Sequence, residues 1–246
     1  MNYQNYSQKK NTKLNIIFSI ISFFVCVVLV FITGVMFYCN TFLSYYPIDG
    51  DSMQPLLNAE GNGGDFVYAT KNSDGITYST VMIYFKEKDM TSPYQQDHKD
   101  RNVIKRVIAM AGDNVMIKST GVRVEGTADD YYAIFIQYGG QGEFVELVED
   151  YIQDKTVYRN MYNQFYISGR LDHKPFSYDD NGNRYLHIED DEIFFLGDNR
   201  LDSWDCLDYG AQKIDPIVGK VEYIIYKGQN RVWQVIAQML GFLKWK

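Results

Sequence analysis

The longest uncharged stretch of the sequence is the feature that most limits its fold. No charged residue lies between Lys13 and Asp49, which leaves 35 uncharged positions, and the most apolar of them run from Leu14 to Tyr38. About 20 apolar residues in a helix cross a hydrocarbon core of about 30 Å. The stretch from Leu14 to Tyr38 contains one glycine, Gly34, and no proline, so we predict a continuous transmembrane helix.

A cleavable secretory signal peptide is the competing interpretation of this stretch. Such peptides have an apolar region of about 7–15 residues that ends at a small-x-small cleavage site. The apolar run here is longer and no Ala-x-Ala follows it, so the pattern favours an uncleaved anchor. Three lysines precede the span, and the next basic residue is Lys71. This asymmetry predicts a cytoplasmic N-terminus and an extracytoplasmic body.

Charge divides the chain into two parts of opposite sign. Residues 1–48 carry three lysines and no acid, whereas the remaining residues carry 21 basic and 31 acidic side chains, so a leader of +3 precedes a body of −10. An acidic body argues against nucleic acid as a partner, because binding a phosphate backbone requires a basic surface. The aromatic content of 16% excludes a disordered chain.

The body is predicted to be mainly β, as a twisted antiparallel sheet or partly open barrel. Short runs rich in Val, Ile, Tyr and Phe are bounded by Gly, Asp and Asn, which is typical of strands, and residues 180–183 predict a hairpin turn. No amphipathic helix is predicted before the C-terminus. The predicted strands are Asp65–Ala69, Val81–Phe85, Val103–Met110, Asn114–Lys118, Tyr131–Gln137, Gln164–Ser168, Tyr185–Ile188, Glu192–Leu196 and Val218–Tyr226.

Four segments make up the predicted organisation: a cytoplasmic tip (1–13), a transmembrane anchor (14–38), an extracytoplasmic domain (39–230) and a C-terminal amphipathic helix (231–246). Residues 119–190 are more acidic and richer in Tyr than their surroundings, which predicts an inserted lobe. The C-terminal helix would lie either on a membrane surface or against the core. Its pattern rests on Val232, Ile236, Met239, Leu240 and Leu243 at helical spacing, with Trp233, Lys244, Trp245 and Lys246.

Three segments of the body carry the candidate chemistry. Ser52 lies in the first, residues 50–55, and the third, residues 197–205, is dense in hydrogen-bonding side chains; each alone predicts a turn. The second is an apolar strand that begins with Lys105 and Arg106. Because strand residues alternate, these two lie on opposite faces, and one of them shares a face with small apolar neighbours. A lysine in such a place loses hydration, which lowers its pKa.

Together, and in this order after an N-terminal anchor, the three segments resemble the bacterial type I signal peptidases, or leader peptidases. The family motif Gly-x-Ser-Met-x-Pro is met at 50–55, Lys-Arg before apolar residues and Gly-Asp at 105–113, and Gly-Asp-Asn-Arg-x-x-Ser-x-Asp at 197–205. The resemblance implies a serine endopeptidase without cofactors. It would act at the bacterial cytoplasmic membrane, in contact with lipid, on the signal peptides of exported preproteins. It covers the anchor and the body except about 119–190.

The resemblance also implies roles for individual residues. Ser52 would attack the scissile carbonyl to form an acyl-enzyme, and Lys105 would be the general base. Ser203 would orient Lys105 by a hydrogen bond. The backbone N–H of Ser52 would bind the oxyanion, and Gly50 occupies a position at which some relatives place a serine as a second donor.

Asp198 and Asp205 would be structural, with Asp198 an ion-pair partner of Arg106. The family usually places an arginine where this chain has Leu207. Asp205 would then need another donor or remain solvated. The chain also departs from the family pattern at Leu56 and Ala111.

Other functions fit the sequence less well. Self-cleaving repressor-type Ser-Lys proteases need a DNA-binding head, whereas the leader here is apolar. An exported β-rich binding or assembly module with a relic peptidase site is favoured by the departures from the family pattern, but the intact Ser52 and Lys105 argue against it. The histidines, His98, His173 and His187, are scattered and no cysteines are paired, so no metal site is predicted.

Overall fold

Two antiparallel sheets form the body. A computed structural model of the chain describes residues 3–58, 64–86, 100–128, 130–152, 157–166 and 176–244. Within these ranges every strand pair is antiparallel, which confirms the prediction of a mainly β, antiparallel body. The first sheet has the order β1-β2-β12-β3-β4-β10-β11, with β1 at Ser44–Pro47, β2 at Phe66–Ala69, β3 at Val81–Lys86, β4 at Arg101–Ala109, β10 at Glu192–Leu196, β11 at Gln212–Lys213 and β12 at Ile217–Ile225.

The second sheet lies between β4 and β10 in the sequence. The predicted hairpin turn is confirmed here, because the Gly182 N–H donates to the Asp179 carbonyl at 2.9 Å and the flanking strands pair. The sheet has the order β7-β6-β5-β9-β8, with β5 at Asn114–Arg123, β6 at Asp130–Gln137, β7 at Val145–Glu146, β8 at Ser177–Tyr178 and β9 at Arg184–His187.

One predicted strand, Gln164–Ser168, is wrong within the described residues. The chain there forms helix α2 (Val157–Tyr166), so an amphipathic helix does occur before the C-terminus. Tyr158, Met161 and Phe165, spaced three and four residues apart, are buried in the main core. Packing of this helical face outweighs the strand preference of its aromatic residues.

The main hydrophobic core joins the two sheets. Residues from β4, β5, β6 and β10 all contribute to it, and so does helix α3 (Cys206–Tyr209). A second, smaller core lies under the segment that carries Ser52, where Met53 and Leu57 pack on Val67, Ile83 and Val221. The residues on either side of Ser52 are therefore fixed to the first sheet.

Helix α1 (Tyr3–Phe42) begins before the predicted span and ends after it. Its part from Lys13 to Phe42, 30 residues, is long and apolar enough to cross a membrane, and it is the one such helix among the described residues. Near its end, Val35, Cys39 and Leu43 are buried with Ile225 of β12. The span is therefore joined to the body by side-chain packing as well as by the chain.

Helix α4 (Arg231–Met239) packs against this junction. Its Val235 is fully buried in the cluster around Cys39 and Leu43. Asn230 caps it by accepting a hydrogen bond from the Trp233 N–H at 3.0 Å. The helix thus contacts the core, while several large apolar side chains in and after it are exposed: Trp233, Met239, Leu240, Phe242 and Leu243. Trp245 and Lys246 lie outside the described residues.

Candidate active site

Ser52 lies in a turn that is fixed at both ends. The turn follows β1, and the Ile48 N–H donates to the Asp65 carbonyl at 3.0 Å. The Gln54 N–H donates to the Asp51 carbonyl at 3.0 Å, which closes the turn around Ser52. The Ser52 N–H itself has no hydrogen-bond partner among the described residues. A serine hydroxyl is thus held at the surface of the first sheet beside an available backbone donor.

Lys105 approaches Ser52 from β4. Its Nζ lies 2.7 Å from the Ser52 Oγ, which is hydrogen-bond distance, and the residue is only 3% exposed. The strand pairs with β3, with Lys105 opposite Met82, so the backbone of the lysine is fixed in the middle of the sheet. The sequence placed these two residues 53 positions apart, and the fold brings them into contact.

Burial makes this lysine a stronger candidate for a base than an exposed one. The pKa of Lys105 is lowered from 10.5 to about 8, mainly because burial removes its hydration; the nearby Arg101 also lowers it, whereas the carboxylates of Asp205 and Asp198 oppose the shift. The direction predicted from the strand pattern is confirmed. A substantial fraction of Lys105 is therefore neutral at mildly alkaline pH and able to accept a proton.

The loop at residues 197–205 is joined to the Ser52 turn. The Asn199 N–H donates to the Ser52 carbonyl at 3.0 Å, and the Asn199 side-chain amide donates to the Asp51 carbonyl at 3.1 Å. Gly197 lies so close that an added Cβ would stand 2.2 Å from the Ser203 Oγ and 2.4 Å from the Ser52 carbonyl oxygen. No larger residue fits at Gly197 unless the two loops separate.

Ser203 and Asp205 lie in this loop, close to Lys105. The Ser203 hydroxyl is buried and near enough to Asp205 to lower the pKa of that carboxyl, but no hydrogen bond of ordinary geometry joins it to Lys105 or to another described group. Burial raises the pKa of Asp205, and Lys105 opposes this rise. The hydrogen bond predicted between Ser203 and Lys105 is therefore absent from the described contacts.

Asp205 accepts hydrogen bonds from backbone N–H groups, whereas the family resemblance led us to expect an arginine at position 207 as its partner. Its carboxylate accepts from the Gly197 N–H at 2.9 Å and from the Leu207 N–H at 3.1 Å. The second bond caps helix α3, whose Asp208 completes a capping box with Asp205. Of the two alternatives for Asp205, other donors or solvent, the structure has the first.

The predicted ion pair between Arg106 and Asp198 is present and buried. The Arg106 Nε donates to one carboxylate oxygen at 2.7 Å and Nη2 to the other at 2.6 Å. The guanidinium also lies 4.2 Å from the ring centroid of Tyr151. Arg106 thus points to the opposite side of β4 from Lys105, and it fixes the loop that carries Asp198.

A cleft of about 350 Å³ opens beside Ser52 and Lys105. Apolar side chains of Ile48, Val103 and Ile104 line part of it. A side chain added at Gly50 would meet no heavy atom within 4 Å, so this wall is open. Sequence reasoning missed several residues that line the cleft, because no motif marks them: Lys86, Arg101, Asp202 and Trp204.

The described residues contain no group of three or more His, Cys, Asp or Glu side chains that could hold a metal ion. His187 contacts Asn114 through its Nδ1 at 2.7 Å and lies in the second sheet. His98 and His173 lie outside the described residues.

Comparisons with known proteins identify the chain as a serine peptidase, a hydrolase. It belongs to the signal peptidase family, peptidase S26, whose model matches residues 17–226. A signal peptidase I of Bacillus caldolyticus is 27% identical over 184 residues, which is 73% of this chain and 78% of the relative. Among solved structures, a signal peptidase I of Enterococcus faecalis V583 shares 21% identity and covers 61% of this chain and 98% of its own, with a TM-score of 0.31, too low to bear on the fold.

Proposed function

We propose that the chain is a membrane-anchored serine endopeptidase that cleaves N-terminal signal peptides from exported preproteins through Ser52 and Lys105. The contact of 2.7 Å between a buried lysine and a serine hydroxyl, beside an open cleft, is the observation that carries the proposal. Membership of the signal peptidase family supports signal-peptide cleavage. The intact pair also argues against a relic site in a binding module.

The geometry supports an acyl-enzyme mechanism. Neutral Lys105 takes the proton from the Ser52 hydroxyl as its oxygen attacks the scissile carbonyl carbon. The Ser52 N–H donates to the oxyanion of the tetrahedral intermediate. The Lys105 ammonium then gives its proton to the leaving amine, and the acyl-enzyme remains. A water molecule deprotonated by Lys105 hydrolyses the ester and frees Ser52.

Supporting residues act on the position of this pair. Asp205 holds the Gly197 backbone, and Asp198 holds Arg106 on the far side of β4. The buried Ser203 hydroxyl faces Gly197 and Asp205 and has no hydrogen-bond partner of ordinary geometry among the described residues, so it has a hydrogen bond to offer the Lys105 amine. Gly50 leaves space beside Ser52 for the substrate backbone.

The cleft fits an extended peptide with small side chains near the cut. The signal peptides that type I signal peptidases cleave carry small residues at two positions before the cleavage site. Shallow apolar pockets would bind these two side chains. Ile48, Val103 and Ile104 supply apolar walls next to Ser52. Discrimination of this kind works by excluding large side chains, and a single misfit costs about 1–3 kcal/mol.

Cleavage of a model preprotein tests the proposed activity. In detergent with phospholipid, the full chain is expected to cleave a preprotein with an Ala-x-Ala site at the peptide bond that follows the second alanine. Mass spectrometry of the product would identify the cleaved bond. A matched preprotein with both alanines replaced by leucine is expected to be cut at least about 30-fold more slowly, because two misfits cost at least about 2 kcal/mol. The proposed function would be contradicted if the alanine substrate were not cut, or if both substrates were cut at the same rate.

The membrane orientation follows from the anchor. Helix α1 supports a single span with the three N-terminal lysines in the cytoplasm and the two sheets outside the bacterial cytoplasmic membrane. The buried junction at Cys39, Leu43 and Val235 then holds the body close to the bilayer. Helix α4 packs on this junction, and the side chains of Trp233, Leu240 and Phe242, which are exposed in and after the helix, would meet lipid headgroups and acyl chains.

Protease added to intact spheroplasts tests this orientation. A C-terminal epitope tag is expected to be lost, while an N-terminal tag survives until the membrane is permeabilised. The control is a variant with Lys9, Lys10 and Lys13 replaced by glutamine, in which the lost charge asymmetry is expected to reduce the fraction with a protected N-terminal tag. Protection of the C-terminal tag in the parent chain would reverse the proposed topology.

A further inference from the structure

A buried carboxylate of the second sheet's lobe forms an ion pair with the active-site loop. Glu149 is 2% exposed, follows β7, and lies within the segment 119–190, which contains none of the three family motifs. Its Oε1 lies 2.5 Å from Nη2 of Arg200, and its Oε2 lies 3.1 Å from Nη1. The hydroxyls of Tyr151 and Tyr158 also donate to this carboxylate. Burial favours a neutral carboxyl, but Arg200 outweighs this and keeps the pKa of Glu149 below its usual range.

Arg200 connects Glu149 to the active-site loop. Its Nε donates to the Gly197 carbonyl at 2.8 Å. Gly197 is the residue whose Cα faces both the Ser203 hydroxyl and the Ser52 carbonyl, and its N–H is held by Asp205. Both polar groups of the Gly197 backbone are therefore fixed, one by Asp205 and the other by Arg200.

A second contact connects the same lobe to the lysine strand. Tyr151 covers the guanidinium of Arg106 at 4.2 Å, and that of Arg200 at 5.8 Å. Arg106 is the chain neighbour of Lys105 and pairs with Asp198 in the active-site loop. The residues 149–151 thus contact both elements that meet at Ser52, the loop 197–205 and strand β4.

We propose that Glu149 is a positioning residue for peptide cleavage, which acts through Arg200 on Gly197 and so sets the separation of the Ser52 turn from Ser203 and Lys105. The inference rests on the proposed function of Ser52 and Lys105. It assigns a role in catalysis to the inserted lobe, which the three family motifs do not include. Loss of the contact would let the loop move by a fraction of an ångström, and misplacement of about 1 Å can lower a rate about 100-fold.

Glu149→Gln tests the proposal, with Glu146→Gln as the matched control. The control has the same substitution three positions away in the same lobe, at a glutamate that is exposed. The second test variant is the double replacement Glu149→Met with Arg200→Met, because it removes both buried charges at once and leaves neither unpaired. Circular dichroism and the Tm select variants that are fully folded at the assay temperature.

Positioning predicts a specific kinetic result. In the folded Glu149 variants kcat is expected to fall about 10- to 100-fold while KM changes less than about threefold, because the apolar walls of the cleft, Ile48, Val103 and Ile104, lie outside the loop 197–205. Glu146→Gln is expected to match the parent. A merely structural role would leave kcat unchanged in any variant that is fully folded. Should neither Glu149 variant fold, Tyr158→Phe, which removes one hydroxyl from the carboxylate, is expected to lower kcat severalfold at constant KM.

The outcomes separate this inference from the function on which it rests. A folded Glu149→Met, Arg200→Met variant with kcat within about twofold of the parent would overturn the positioning role, as would an unchanged kcat in Tyr158→Phe if the others do not fold. Ser52→Ala, assayed alongside, reports on the proposed function. Cleavage that survives in Ser52→Ala removes the mechanism itself, whereas its loss together with full activity in the Glu149 variants removes only the inference.

Discussion

Lys105→Met is expected to lower kcat/KM for preprotein cleavage by about 10⁴- to 10⁶-fold while the protein remains folded. Methionine has nearly the volume and shape of the lysine stem, so the buried site stays filled, but it has no group that accepts the Ser52 proton. The contact of 2.7 Å between Nζ and Oγ is thereby lost. Single-turnover cleavage of a preprotein, with the Tm recorded for each variant, measures the effect.

Two comparisons make this test specific. Ser52→Ala is expected to lose about as much activity as Lys105→Met, and the double variant no more than either, because a nucleophile and its base act as a unit. Lys213→Met is the control for the change of residue type: Lys213 is exposed and pairs with Asp191, away from the cleft. Lys105→Met with more than about 10% of the parent activity would exclude Lys105 as the base.

The same lysine sets the pH dependence. Because burial lowers the pKa of Lys105 to about 8, parent kcat/KM is expected to rise about tenfold per pH unit below 8 and to level off above it. The residual activity of Lys105→Met should lack this limb. The contribution of Lys105 to stability changes in the same direction: between pH 8 and 10.5 this lysine is largely neutral in the folded chain and protonated in the unfolded one, so its contribution to the free energy of unfolding rises with pH across that window.

The contacts of Lys105 and Arg106 could be predicted from the sequence because these two residues lie in a strong local pattern. Alternation in β4 put Lys105 and Arg106 on opposite faces, and the structure shows the first on Ser52 and the second on Asp198. Five of the seven strands of the first sheet were predicted, because Val, Ile and Phe in short runs between Gly and Asp favour strands, whereas β1 and the two-residue β11 were missed. These signals are local in the chain, so neighbouring residues suffice to recognise them.

The lobe was harder to predict because its structure depends on distant contacts. Helix α2 is rich in aromatic residues that favour strands, and its spacing of buried residues, Tyr158, Met161 and Phe165, was the signal that could have identified it. The pair of Glu149 and Arg200 joins residues 51 positions apart and matches no motif. Only the packing of the lobe against the loop at 197–205 reveals it.

The family departure at Leu207 has a physical explanation in the same loop. Leu207 is 2% exposed and belongs to the main core, whereas an arginine there would bury a charge. Asp205 instead accepts from the Gly197 and Leu207 backbone N–H groups. The loop is therefore held from within by Asp205 and from the lobe by Glu149, which acts through Arg200, and both contacts converge on Gly197.

Gly197→Ala is accordingly expected to lower kcat/KM by about 100-fold and to destabilise the fold by about 1–3 kcal/mol. The added methyl group would stand 2.2 Å from the Ser203 Oγ and 2.4 Å from the Ser52 carbonyl oxygen, so the loop and the Ser52 turn must separate. Steady-state kinetics at a temperature where the variant is fully folded, and urea unfolding, measure the two effects.

Substitutions at two other glycines distinguish a loss of stability from a change in the active-site geometry. Gly219→Ala meets a comparable obstruction, the Thr70 carbonyl oxygen at 2.0 Å, but in the contact of β12 with the end of β2, so it is expected to lose similar stability and to retain activity when folded. Gly50→Ala adds its methyl beside Ser52 with no heavy atom within 4 Å and is expected to lose no stability, so its kcat/KM reports only the space that the substrate backbone needs there. If Gly219→Ala and Gly197→Ala lost activity in proportion to stability alone, Gly197 would be a packing residue. A kcat/KM lost only in Gly197→Ala would mean that the separation of these two loops sets the rate.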